Sequence, residues 1–73
     1  MMRDHFDAAA AEAGLTLAQL RSRRRDKIAY EARQNAYAAC RADGFTLTQI
    51  ADYVNRDHTS VLNGLRRWAM RQK

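Results

Sequence analysis

The residues best equipped for chemistry sit in one run near the end of the chain, Arg56-Asp57-His58-Thr59-Ser60-Val61-Leu62. A carboxylate, an imidazole and two hydroxyls occupy four consecutive positions directly before an apolar-periodic segment. At the opening turn of a helix such groups either cap free backbone amides or touch a partner in front of the helix tip. Asp57 can accept from the amides of its own helix or from a donor on a partner, and the two roles are compatible. His58 can donate or accept a hydrogen bond. Thr59 carries a hydroxyl and a methyl. Ser60 offers the hydroxyl alone. A second concentration of chemistry is Arg21-Ser22-Arg23-Arg24-Arg25, four cations in five positions, followed by Asp26 and Lys27. Such a run is either a solvated helix end or a device for meeting a polyanion.

Other chemistries are poorly served. No acid–base pair, nucleophile–base set or metal-ligand cluster stands out, so neither a catalytic site nor a cofactor or metal site is expected. Cys40 is the only cysteine, which excludes a disulfide or a cysteine-based zinc cluster within one chain and fits a reducing compartment. It lies in an alanine-rich stripe, where burial is the expected fate. His5 has no motif around it and reads as a satisfied histidine. Trp68 sits at core spacing and reads as an anchor. No apolar run approaches the ~20 residues of a membrane span, and Asp4, His5 and Asp7 interrupt any signal-peptide core. No membrane and no small-molecule substrate is expected as a partner.

Seventy-three residues suit one small domain, 1–73, and many of its apolar residues are alanine. The core should be thin and stability should rest on helix packing. Proline is absent and only 3 glycines occur, as befits an all-α chain. The net charge of +5 is unevenly spread. Residues 1–20 hold one basic and three acidic side chains, −2; residues 21–73 hold 12 basic and 5 acidic, +7. A basic C-terminal three-quarters fits a polyanion.

The elements that position these groups can be read in order. A first helix runs from about Arg3 or Asp4 to Ala13 and stops at Gly14, a left-handed C-cap. Thr16 caps a short second helix, with Gln19 closing a capping box and Leu15 and Leu20 spaced for a hydrophobic staple. The same design returns at Gly44-Phe-Thr-Leu-Thr-Gln-Ile50: Thr46 caps, Gln49 closes the box, Phe45 and Ile50 staple. Between them Asp26 caps a long central helix to about Ala42. Its expected buried stripe is Ile28, Ala32, Ala36, Ala39 and Cys40, widened by Ala29 and Tyr37. Leu47, Ile50, Ala51 and Val54 should face inward from the fourth helix. The fifth, capped by Asp57 and reaching about Met70, should bury Val61, Leu62, Leu65, Trp68 and Ala69. The brief link Tyr53-Val54-Asn55-Arg56 makes helices four and five a helix-turn-helix over about 46–70, with a basic loop at about 21–27.

Arg56-Asp57-His58-Thr59-Ser60-Val61-Leu62 resembles the RDHTTVLHA signature of the DNA-binding domain of the bacterial replication initiator DnaA. Leu15-Thr-Leu-Ala-Gln-Leu-Arg-Ser-Arg-Arg-Arg25 is similar to the segment before that family's basic loop, and Ala32-Arg33-Gln34 falls where the family has a PRQ-type motif. The resemblance covers roughly residues 6–67. It implies a Trp-repressor-like helix-turn-helix of the DnaA domain IV type, with about five helices and a recognition helix starting near Asp57. It implies double-stranded DNA as partner at a DnaA-box-like sequence. Asp57, His58, Thr59, Ser60 and Asn63 would lie in the major groove and Arg25 in the minor groove. Arg23, Arg24, Lys27, Arg33, Gln34, Thr48, Arg56, Arg66 and Arg67 would meet the DNA backbone.

The chain departs from the family in places. Tyr53-Val54-Asn55 stands for Phe-Gly-Gly, so the left-handed turn position should fall on Asn55. Gly64 follows Asn63 in mid-helix, at a cost of ~1 kcal/mol against Ala; a close approach to DNA or to another helix would account for it. No G-x-x-x-x-G-K-[ST] stretch of the initiator's ATPase occurs. The expected function is site-specific DNA binding in control of replication initiation or transcription, in bacterial cytoplasm at the nucleoid or from a phage. Any replication or transcription protein acting with it is unidentified. The alternative is a protein-interaction module on a helix-turn-helix scaffold, docking through its acidic first helix. The paired Met1-Met2 reads as the start of a complete frame, with an excised domain as the alternative.

Overall fold

A computed structural model describes residues 1–72. Five helices follow in order: α1 Met2–Ala13, α2 Leu17–Arg21, α3 Lys27–Ala42, α4 Leu47–Val54 and α5 His58–Arg71. No strand occurs among the described residues. The helix starts are set by short-range hydrogen bonds. The Gln19 amide donates to Thr16 Oγ1 at 3.1 Å while Gln19 Oε1 accepts from the Thr16 amide at 2.8 Å. Thr46 and Gln49 repeat this at 3.1 and 2.9 Å. Both boxes follow glycines with positive φ, 72° at Gly14 and 97° at Gly44, where an L side chain would be strained.

The long α3 runs between α1 and α5 and packs on both, while α5 also packs on α4, and α2 touches α1, α3 and α4. The core is built on Phe6, Leu20, Cys40, Ile50, Val54 and Val61, with Ala9, Ala10, Ala32, Ala36, Ala51 and Tyr37 around them. Small side chains along α1 and α3 let these helices approach closely. The ring of Phe6 fills the centre, edge-on to Tyr37 at 6.1 Å and tilted on Tyr53 at 5.1 Å. Such aromatic pairs add to the burial of the rings themselves. Leu15 and Phe45 pack half-buried against the same cluster as Leu20 and Ile50.

Two buried faces differ from the periodic reading. Ile28 is 55% exposed and Ala39 half-buried, whereas Arg33 and Gln34 are buried; Ala29 and Tyr37 are buried as the stripe predicts. Because α3 is covered from two sides, its buried arc is wider than one apolar stripe and rotated toward the loop after α2. On α5, Val61 and Gly64 are buried, Leu62, Leu65 and Trp68 half-buried, and Ala69 exposed.

Gly64 explains the close approach. A Cβ at this position would lie 2.9 Å from both Cδ2 and Cε2 of Tyr37. Glycine is therefore needed for helix packing, and Tyr37 is the reason. The turn between α4 and α5 places Asn55 at φ 59°, ψ 43°, while Val54 stays helical and buried. Asparagine tolerates this left-handed state better than a β-branched residue.

Candidate nucleic-acid interface

The tip of α5 is organised by Asp57. Its carboxylate accepts from the Ser60 amide at 2.8 Å, and that hydrogen bond holds the carboxyl below its ordinary range. His58, Thr59 and Ser60 are exposed at the tip, and Asn63 one turn later. Arg66 and Arg67 continue along the exposed side.

Beside this tip lies the arginine loop between α2 and α3, and its cations divide into two kinds. Arg21 donates from Nε to the Tyr53 carbonyl at 2.8 Å and lays its guanidinium 4.8 Å from the centre of the Tyr53 ring. Arg24 pairs with Asp26, which also accepts from the Ala29 amide at 3.4 Å as the cap of α3. The Arg24 bond, above all, keeps the Asp26 carboxyl low. Arg23 and Arg25 are exposed and form no ion pair with the described residues, and the same is true of Lys27, Arg66 and Arg67.

Arg33 and Gln34 require correction as surface groups. They are 3% and 2% exposed. Arg33 donates from Nε to the Leu20 carbonyl at 2.8 Å and from Nη2 to the Ser22 carbonyl at 3.1 Å. Burial, then the nearby Arg56 charge, lowers its pKa from the usual arginine value. Gln34 Oε1 accepts from Arg71 Nε at 3.0 Å. The physical reason is local: α2 and the irregular loop after it leave carbonyls without helical partners, and buried acceptors demand donors. Arg56, half-buried, reaches the same Ser22 carbonyl through Nη2 at 2.9 Å. Thr48 is exposed on the first turn of α4 and borders none of the grooves described next.

Three adjoining grooves form one furrow between loop and helix. The first is bordered by Arg25, Tyr30, Arg33, Tyr37, Arg56 and Ser60. The second continues along α5 past Tyr30, Ser60, Asn63, Arg66, Arg67 and Met70. The third leads back along the loop past Arg21, Ser22, Arg23, Arg25, Asn55 and Arg56. No carboxylate borders any of them, although the chain has 8 acidic residues. The furrow brings Arg25 and Ser60 to one groove across 35 residues of sequence. Lys27 lies just beyond, in a neighbouring groove shared with Glu31.

Tyr30 escaped the sequence reading. It is 40% exposed and borders two of the three grooves as well as the one beside Lys27. An aromatic off the apolar stripe of α3, set between the arginine run and Arg33, was the available signal.

The remaining ionisable groups have structural surroundings. His5 Nε2 lies 3.0 Å from Asp43 Oδ2, tying α1 to the end of α3. Cys40 is buried, and desolvation raises its thiol to about 11. Among the described residues no group of three or more His, Cys, Asp and Glu could hold a metal ion, and no helix is long and apolar enough to cross a membrane.

A short α4, a left-handed Asn55, and an α5 that borders a carboxylate-free furrow through Ser60, Asn63, Arg66 and Arg67, with Asp57, His58 and Thr59 outside it, define a helix-turn-helix domain of the DNA-binding class. The sequence model described as the bacterial dnaA protein helix-turn-helix matches residues 6–67, and the chain belongs to that family. In that family this domain binds DNA and is not the catalytic part. No significant match occurs among curated proteins or solved structures.

Proposed function

We propose that the chain binds double-stranded DNA at DnaA-box-like sequences, reading the major groove with the tip of α5 and the adjacent minor groove with Arg25. The observation that carries this reading is the furrow, in which Arg25 and Ser60 border one groove and no carboxylate intervenes. Asp57 combines capping with acceptance from a cytosine amino group, and His58, Thr59, Ser60 and Asn63 meet base edges. Arg23, Arg24, Lys27, Thr48, Arg66 and Arg67 lie toward the phosphates on either side. Occupancy of the site is the output, acting on replication initiation or transcription in the bacterial cytoplasm, at the nucleoid or on phage DNA.

Selection of bound sequences from a random duplex library tests this. A box-like consensus with A/T preference at the minor-groove flank is expected. Thr59→Ala should cost ~1–3 kcal/mol and relax one base pair, and Arg25→Ala should relax the flank. Equal affinity for box and scrambled duplexes would overturn the reading.

A further inference from the structure

We propose that Arg33 and Arg56 are positioning residues that hold the arginine loop at a fixed span from the tip of α5. This rests on the DNA-binding reading above. The shared object is one carbonyl. Ser22 O accepts from Arg33 Nη2 at 3.1 Å and from Arg56 Nη2 at 2.9 Å. Arg33 belongs to α3 and also holds Leu20 O, the last turn of α2, at 2.8 Å. Arg56 directly precedes the Asp57 cap of α5. A single acceptor is therefore tied to the central helix and to the start of the recognition helix.

Ser22 also donates to the Gln19 carbonyl from its hydroxyl at 2.6 Å and its amide at 3.3 Å, but these bonds tie it only to α2 itself; the tie to α3 and to the start of α5 is made by the two arginines. Arg23 and Arg25 follow Ser22 at once and are exposed. Beyond Ser22, the loop is anchored by the Arg24 amide on Ser22 Oγ at 3.2 Å and by the Arg24–Asp26 pair. Four cations on one short segment repel one another and the neighbouring guanidinium groups. Without the bracket the segment would spread outward, and an arginine entering a groove would have to be ordered at the moment of binding. With it, Arg25 is presented in advance. Charge-assisted hydrogen bonds to carbonyls are among the stronger available.

A phosphate contact and a positioning role predict different behaviour. Each phosphate neutralised contributes about one unit to the log–log salt slope. An arginine acting through the loop should leave that slope unchanged while weakening selectivity at the minor-groove flank. Its effect should also vanish once Arg25 is gone.

The test uses Arg56→Gln, which is at the surface and should fold, with Arg33→Lys as the second variant, in which one ammonium replaces the two-pronged fork. Melting curves check folding. On the full chain without DNA, nitrogen relaxation of amides 22–26 should show a more mobile loop in both variants. On a box duplex, Arg56→Gln should lose roughly tenfold in affinity, the scale of one charge-assisted hydrogen bond, with an unchanged salt slope. Combined with Arg25→Ala it should bind no worse than Arg25→Ala alone. Additive losses with a slope lower by about one unit, or a loop as rigid as in the native chain, would overturn the proposal. If the native chain shows no sequence preference, the reading of function fails, while the relaxation measurement on free protein still decides whether the bracket orders the loop.

Discussion

Gly64→Ala sets two known effects against each other at one atom. In an exposed helix the change stabilises by about 1 kcal/mol, because glycine is the poorer helix former. Here the added carbon would lie 2.9 Å from two ring carbons of Tyr37, where ordinary carbon contacts are ~3.5–4.0 Å. Relief requires a shift of about half an ångström. Tyr37 cannot supply it cheaply: it is 3% exposed and sits edge-on to the wholly buried Phe6. Overpacking of this kind costs about 1–3 kcal/mol, so the sum is a loss of roughly 1 kcal/mol. For a domain of this size that corresponds to a Tm lower by about 4–8 °C. Thermal melting by circular dichroism measures it. Tyr37→Leu should make the added methyl tolerable, so the double variant should be more stable than the sum of the single changes allows. If Gly64→Ala alone raises Tm, helix propensity wins and the contact with Tyr37 does not determine the residue. A DNA-binding loss larger than the lost stability explains would follow if α5 shifts against α3.

Three further outcomes are expected. Asp26 and Asp57 have carboxyls held low in the folded chain, the first chiefly by Arg24 and the second by the Ser60 amide; their contribution is present above the unfolded carboxylate pKa and is lost as pH falls through the lower folded value, so Tm should drop as the solution is acidified through and below the ordinary carboxylate range. Asp57→Asn keeps a capping acceptor and should flatten part of that drop, and an unchanged acid profile would count against the assignment. The Cys40 thiol, raised to about 11 and buried, should resist alkylation at neutral pH in the native state and react once denaturant opens the core. Tyr30→Ala should leave Tm nearly unchanged, because the side chain is 40% exposed, yet weaken duplex binding in a filter or anisotropy assay; equal binding would remove Tyr30 from the interface.

The features legible in the sequence are those whose partners are close in the chain. Thr16 with Gln19, Thr46 with Gln49, Asp26 with Ala29 and Asp57 with Ser60 all bond across three residues, and each marks its helix start. The hidden features depend on distant partners. Arg33 looks polar and helical, but its acceptors lie 11 and 13 residues earlier, and Arg56 meets Ser22 across 34. Periodicity scores apolar side chains and so cannot see an arginine buried to satisfy loop carbonyls. Ile28 shows the converse: it is apolar and in phase, yet the arc that α1 and α5 cover leaves it outside.

The uneven charge has a kinetic meaning. Asp4, Asp7 and Glu12 are exposed on α1, which lies along α3; the N-terminal amine and Arg3 pair with the first two, so α1 keeps a small negative excess, whereas the carboxylate-free furrow opens between α3, α5 and the loop. The domain thus carries a permanent electric moment. A polyanion repels the acidic helix and attracts the furrow, so an arriving molecule is turned before it touches. The torque acts over about 10 Å at moderate salt and fades as salt rises. The acidic helix can therefore speed productive encounters by orientation alone.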